Sequence, residues 1–256
     1  AQTNSAATVS GLKGSDSFTI SGYGTGTNAS ATAYADNLSA SANSGTSASN
    51  YSISYTNGGL TIGKATLTVT ATNASKTYDG LAYTGGNGVT YSGFVNSETS
   101  SVLGGTLAYG GTSQNAVNAN TYTIVPSGYT SGNYTIGYSN GTLTVNKATL
   151  TVTADNKTKV YGDANPTLTY TVAGYVNNET ASVLSGAPTI STTAGTTTGV
   201  GSAVITSAAN NLAATNYDFS YVNGTLTIGA APLTITGANT TVTYTGVAQT
   251  NSAATV

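Results

Sequence analysis

The chain contains no cysteine and no histidine, and its whole charge is six lysines and eight acids spread over 256 residues, a formal net of −2. Arginine, methionine and tryptophan are missing as well. Without Cys or His there is no Cys/His zinc site, no His-dependent catalytic triad and no disulfide staple. The charges, Lys13, Lys64, Lys76, Lys147, Lys157 and Lys159 against Asp16, Asp36, Asp79, Glu98, Asp155, Asp163, Glu179 and Asp218, are scattered singly. No basic stripe meets a phosphate backbone, so nucleic acid is not an expected partner. No apolar run approaches the roughly 18 residues needed to cross a bilayer, and residue 1 does not open a signal peptide. Membrane insertion is therefore not expected, and any export signal is expected outside the chain.

What is abundant points to β structure. There are 18 tyrosines and 32 glycines, and Val, Ile and Leu alternate with Thr in many short runs. A charged disordered chain would lack these aromatic and β-branched residues. The composition describes folded strands with neutral polar surfaces.

Repetition organises the chain. Lys64-Ala65-Thr66-Leu67-Thr68-Val69-Thr70-Ala71 returns 83 residues later as Lys147-Ala148-Thr149-Leu150-Thr151-Val152-Thr153-Ala154. A closing pattern, Asn-Tyr followed by Asn-Gly and Leu-Thr, appears at Asn50–Ile62, Asn133–Val145 and Asn216–Ile228. A longer repeat joins the ends: Ala1–Val9 recurs residue for residue as Ala248–Val256, an offset of 247. The expected organisation is an incomplete first module over 1–63 lacking its opening strand, modules over 64–146 and 147–229, and the opening segment of a further module over 230–256. The chain is thus expected to be a segment of a longer repeat protein. A module missing a strand exposes an edge, so 1–63 is expected to be the least stable part or to be completed by residues 231–256 of a neighbouring copy; two merely frayed ends are the alternative.

Within a module, Tyr134, Ile136 and Tyr138 alternate with polar residues, Asn140-Gly141 follows, and Leu143 and Val145 alternate again, which predicts a hairpin; Tyr51–Ile62 and Tyr217–Ile228 repeat it. The apolar phase switches between Val145 and Leu150, which marks a boundary too short for a floppy tether and predicts a semi-rigid rod. Asn96–Leu103 and Asn178–Leu184 begin like capped helices and predict about two helical turns. The expected fold is predominantly β, in tandem small modules, each a sheet with one short helix in a β-grasp-like α+β arrangement. Immunoglobulin-like β-sandwich modules are the alternative.

Lys76-Thr77-Tyr78-Asp79-Gly80, Lys159-Val160-Tyr161-Gly162-Asp163, Gly93-Phe94-Val95-Asn96 with Glu98-Thr99, and Gly174-Tyr175-Val176-Asn177 with Glu179-Thr180, together with the closing pattern, resemble the MBG/YDG modules of filamentous-haemagglutinin-like bacterial adhesins. In residues 1–63 Ser21-Gly22-Tyr23 lacks the following Glu-Thr, and Val242-Thr243-Tyr244-Thr245-Gly246 departs from both forms of the Tyr motif. The resemblance implies secretion, tandem arrays in very large surface proteins, and a stalk or adhesive role without enzymatic chemistry.

The remaining chemistry is sparse. Asp79, Asp155-Asn156 and Asp163-Ala164-Asn165 are the only candidates for an oxygen-lined calcium site, and turns explain them better. Glu98 and Glu179 occupy equivalent module positions and suit helix starts better than a glycosidase pair. Lys76 and Lys159 raise the question of a covalent Lys to Asn or Asp crosslink, with no partner fixed by the sequence. Asn-x-Ser/Thr triplets such as those at Asn73, Asn133, Asn140, Asn156 and Asn223 keep glycosylation open. Tyr51, Tyr134, Tyr217, Tyr55, Tyr138 and Tyr221 recur in register and suit packing, whereas Tyr23, Tyr34 and Tyr129 are candidates for exposure. No catalytic residue, metal site or cofactor is expected. The expected role is a non-enzymatic extracellular stalk or fibre segment of a giant repetitive bacterial adhesin; a glycan- or protein-binding module and a subunit assembled by head-to-tail strand complementation are the alternatives. Expected partners are neighbouring copies, through residues 231–256 and 1–63, and a host or biofilm surface glycan or protein.

Overall fold

Thr, Val, Leu and Ile at period two form strands where one face is buried, and the computed structural model, which describes residues 1–251, is built of such strands. The last five residues of the recurring nonapeptide, 252–256, lie outside the described residues. The chain divides into two compact units between Asn146 and Lys147. In the first, residues 1–63 carry β1 (Gln2–Thr3), β2 (Phe18–Ser21), β3 (Thr25–Gly26), β4 (Ser30–Ala35), β5 (Ser39–Ala42) and β6 (Gly59–Ile62). They are followed by β7 (Ala65–Ala71), β8 (Ala74–Thr77), β9 (Val89–Ser92), β10 (Gly104–Gly110), β11 (Asn120–Thr130), β12 (Tyr134–Ser139) and β13 (Gly141–Asn146). The second unit carries β14 (Ala148–Ala154), β15 (Lys157–Val160), β16 (Tyr170–Ala173), β17 (Thr189–Ser191), β18 (Gly201–Ala208), β19 (Tyr217–Val222) and β20 (Gly224–Gly229).

Two curled sheets recur. In the first unit β7 lies between β12, to which it is parallel with Leu67 opposite Ile136, and β9, to which it is antiparallel with Val69 opposite Tyr91. The other sheet runs β10-β11-β13-β8, with β13 and β8 parallel. β11 serves two neighbours: Asn120–Ile124 pairs with β13, and Val125–Thr130 pairs with β10. The second unit repeats both sheets, as β16-β14-β19 and β15-β20-β18-β17. Period-two burial fills the cores with Leu67, Val69, Ile124, Leu143 and Val145 in the first unit and Leu150, Val152, Ile205, Leu226 and Ile228 in the second, none more than 3% exposed.

The β-grasp-like arrangement is not the fold, because no α-helix is present among the described residues. Where helices were expected, Asn96 and Ser97 take φ of 52° and 58°, and Asn177 and Asn178 take 51° and 58°. Two successive left-handed residues cannot belong to a right-handed helix. Thr99 and Thr180 are then extended, so only one 3₁₀ turn follows in each, at Ser100–Val102 and Ala181–Val183. Nor are the sheets the antiparallel pair of an immunoglobulin-like sandwich, since β7 with β12, β8 with β13, β14 with β19 and β15 with β20 are all parallel.

The predicted hairpin is also absent. β12 and β13 are consecutive but join different sheets, so Asn140-Gly141 is a corner. Its glycine is needed for close approach: a Cβ on Gly141 would lie 2.7 Å from the Ala71 carbonyl oxygen, and one on Gly224 would lie 2.5 Å from that of Ala154.

Leu150→Ala should destabilise the second unit by about 2–5 kcal/mol, the range for emptying a packed leucine site. Val204→Ala, on a side chain 57% exposed, should stay within about 0.5 kcal/mol. Urea midpoints of the two variants check this.

Candidate functional site

The most regular side-chain constellation is a tyrosine lock. The Tyr134 hydroxyl accepts the Val95 N–H at 3.0 Å and donates to Glu98 Oε2 at 2.5 Å. In the second unit the Tyr217 hydroxyl accepts the Val176 N–H at 3.1 Å and donates to Glu179 Oε2. The same device stands in residues 1–63, where the Tyr51 hydroxyl accepts the Lys13 N–H at 3.0 Å and donates to Asp16 Oδ2 at 2.6 Å. Each carboxylate lies three residues after the amide, across a loop with left-handed Gly14, Asn96 or Asn177. An aromatic ring meets each tyrosine edge-on: Phe18 on Tyr51, Phe94 on Tyr134 and Tyr175 on Tyr217.

The counterpart of Gly93–Thr99 in residues 1–63 is therefore Gly11–Ser17 and not Ser21-Gly22-Tyr23. Gly11-Leu12-Lys13-Gly14-Ser15-Asp16-Ser17 keeps the glycine, an apolar second residue, an acid and a hydroxyl in the same order, which was the available signal. Glu98 and Glu179 each lock their own sheets and are helix starts in neither unit. The carboxylate hydrogen bond is the main cause of the raised pKa of Tyr51 and of Tyr134, whereas burial comes first for Tyr217.

The other predicted residues are occupied structurally. Asp79 Oδ1 accepts from Lys76 Nζ at 2.7 Å and from the Leu81 N–H at 2.9 Å, and the lysine holds its carboxyl below the ordinary value. Lys159 is buried and donates to the Asp163 and Gly195 carbonyls, so neither lysine faces a buried acyl partner for a crosslink. Asp155 accepts from Thr169 Oγ1, and Asn165 donates to the Ala194 carbonyl. Among the described residues no group of three or more Asp, Glu, His or Cys side chains is placed to hold a metal. Asn73 and Asn156 accept the Thr142 and Thr225 N–H groups, each at 2.8 Å, and tie the entering segment to the leaving strand. Asn133 accepts the Ala29 N–H and donates to Asn28 Oδ1, joining residues 1–63 to residues 64–146. Tyr23, Tyr34 and Tyr129 are half-buried rather than exposed; Tyr129 shares a 2.8 Å hydrogen bond with Tyr91, which with burial pushes its pKa up to about 12.

Asp36 was missed. It stands opposite the leaving strand where Ile124 and Ile205 stand in the other repeats, is buried, and accepts from the Gly24 and Gly58 N–H groups and from Asn4 Nδ2. The concavities among the described residues include two of about 620 Å³. One is polar and open, edged by Asn73, Tyr83, Asn87 and Thr142, and the other is a groove across residues 1–63.

Repeated β modules fixed by tyrosine–carboxylate locks define a structural repeat. The sequence pattern of the MBG domain (YGX type) matches residues 67–144 and again residues 150–227, more than half of the chain, which therefore belongs to the MBG-domain family. It is built of tandem MBG-type adhesin modules. No curated protein matches the chain.

Tyr217→Phe removes a hydroxyl that serves two half-buried partners, one of them a carboxylate, and should cost about 1–3 kcal/mol. Tyr175→Phe should do the reverse, because its hydroxyl is buried with no hydrogen-bond partner and Phe94 fills the equivalent place; a gain of about 1 kcal/mol is expected, read from thermal or urea unfolding. The raised Tyr129 pKa is a stability contribution fully present below the unfolded value of 10.0 and lost as pH rises through about 12. Stability should fall over that window, and Tyr129→Phe should flatten the fall in alkaline titrations followed by circular dichroism.

Proposed function

We propose that the chain is a load-bearing spacer in an extracellular bacterial surface adhesin of the filamentous-haemagglutinin-like type, projecting or linking adhesive regions, with 64–146 and 147–229 as complete modules. The observation that carries this reading is the parallel pairing of the strand that enters each module with the strand that begins its exit. Tension applied at Ala65 and Asn146 pulls β7 and β12 from opposite ends. In that geometry the ladder from Ala65–Tyr134 to Thr70–Ser139 is loaded in shear, and its hydrogen bonds resist together instead of opening one at a time. β14 and β19 repeat the arrangement from Ala148–Tyr217 to Thr153–Val222.

Connection lengths support the same role. Gly63-Lys64 joins β6 to β7, and Lys147 alone joins β13 to β14, so little slack intervenes. Lys64 Nζ donates to the Ser131 carbonyl at 2.8 Å, and Lys147 Nζ donates to the Ala214 carbonyl at 3.5 Å and lies 3.6 Å from Asp218. The glycan-binding alternative has less behind it, since Tyr83 is the one aromatic residue at the polar concavity.

Pulling the chain by its ends should give two unfolding steps, each lengthening it by somewhat less than about 300 Å, the reach of one 83-residue module. The absence of cysteine allows the load to be moved to Lys64→Cys and Gly132→Cys, at the same end of β7 and β12, where the ladder unzips. The unfolding force should drop sharply in that variant. Equal forces in the two geometries would remove the basis for a load-bearing role, and saturable binding to a glycan array, abolished by Tyr83→Ala, would make it a binding module.

A further inference from the structure

Residues 1–63 follow the plan of the other repeats with one place empty. In residues 64–146 the entering strand β7 lies between β12 and β9. The tyrosine lock and the glycines of its loop identify the counterparts of those flanks as Tyr51–Thr56 and Ala7–Ser10. Neither forms a strand. Both line a groove of about 620 Å³, Ala7 and Val9 from one flank and Ile53 and Tyr55 from the other, together with Phe18 and Ile20.

The glycines show what this groove is shaped to hold. A Cβ on Gly93 would lie 2.3 Å from the Thr66 carbonyl oxygen, and one on Gly174 would lie 2.7 Å from that of Thr149, so both press against the entering strand. At Gly11, their counterpart, a Cβ would meet nothing within 4 Å. Ile53 is correspondingly 40% exposed, where its counterpart Ile136 beside β7 is half-buried. The matching strand is also present and unused. Leu233-Thr234-Ile235-Thr236 repeats Leu67–Thr70 and Leu150–Thr153, yet Leu233 and Ile235 are 84% and 86% exposed and lie in no strand, where Leu67, Val69, Leu150 and Val152 are fully buried.

We propose that residues 231–244 of a second copy of this chain dock in the groove and complete the fold of residues 1–63. The register follows from β7 with β12 and with β9: Leu233 opposite Ile53, Thr234 opposite Ser54, and Ile235 between Tyr55 and Val9. Asn239 corresponds to Asn73 and Asn156 and takes the Gly59 N–H, as they take those of Thr142 and Thr225. Thr240–Val242 then runs along the open edge of β6 at Leu60–Ile62, as β8 runs along β13. Pro232 fits at the position of Thr66. The Ala65 N–H faces β12, so that of Thr66 faces the β9 side, where the ladder begins only at Thr68, and its absence costs no ladder bond. Asp36, at the edge of the groove, already has its hydrogen bonds from Gly24, Gly58 and Asn4, so docking buries no unpaired carboxylate. Groove and strand lie at different places on one chain, so the contact is heterologous and propagates head to tail. The spacer reading stands or falls separately.

Chains carrying Ser54→Cys and chains carrying Thr234→Cys, mixed and mildly oxidised, should form disulfide-linked heterodimers on a background without cysteine. Excess peptide spanning residues 230–247 should suppress them. Sedimentation of the unsubstituted chain should show mass rising with concentration, and Leu233→Asp with Ile235→Asp should weaken that association at least about tenfold, both side chains losing their apolar burial. The proposal is overturned if the Ser54 and Thr234 pair links no faster than Ser54→Cys with Thr227→Cys. It is equally overturned if the chain stays monomeric at every concentration, or if a chain carrying both cysteines links only to itself.

Discussion

The parallel ladder between the strand that enters a module and the strand that begins its exit organises everything else in this chain. Because β7 is flanked on both sides, its side chains at Leu67 and Val69 are fully buried, and the leaving strand must turn a sharp corner to reach the other sheet. That corner demands glycine at Gly141 and Gly224, where a side chain would strike the backbone of the entering strand. The Asn73 and Asn156 side chains then hold the second half of the entering segment against the leaving strand. In residues 1–63 the segments Ala7–Ser10 and Tyr51–Thr56 form no strand, and Ile53 and Tyr55 stay exposed.

Polar side chains complete what the small apolar cores leave undone. The modules have few large hydrophobic residues, and the tyrosine locks compensate by burying an aromatic ring and satisfying a backbone amide and a carboxylate at once. Where the pattern slips, as at the Tyr175 hydroxyl, a buried group goes without a partner. Asp36 is the opposite case, an acid placed where the other repeats carry isoleucine and accommodated by amide donors. Such substitutions show how far the plan tolerates drift when hydrogen bonds are met.

Much of this was legible from repetition. The 83-residue period placed Leu67, Val69, Leu150 and Val152 in entering strands, and alternation identified their buried face. Pairing was not legible. Asn140-Gly141 has the chemistry of a hairpin turn, and nothing local distinguishes a hairpin from a corner between sheets, because the difference lies in the approach of Ala71 from far along the chain. Asn96–Leu103 has the capping chemistry of a helix, but Asn96 and Ser97 adopt left-handed dihedrals so that Glu98 reaches Tyr134. Asp16 was harder to read as the third lock because Lys13 and Gly14 replace Val95 and Asn96, which leaves a thin match of glycine, apolar residue, acid and hydroxyl, and the hydroxyl of Tyr51 fixes the equivalence.

The distance along the chain between β7 and β12 also governs how a module comes into being. The two strands are separated by most of the module, so the central ladder has nothing to pair with until Tyr134–Ser139 exists. Contacts of such long sequence separation are slow to form and cooperative. During synthesis at about 5–20 residues per second, an 83-residue stretch stays open for about 4–17 s before its last strand arrives. Each module therefore closes only once its own last strand exists, and successive modules close in chain order.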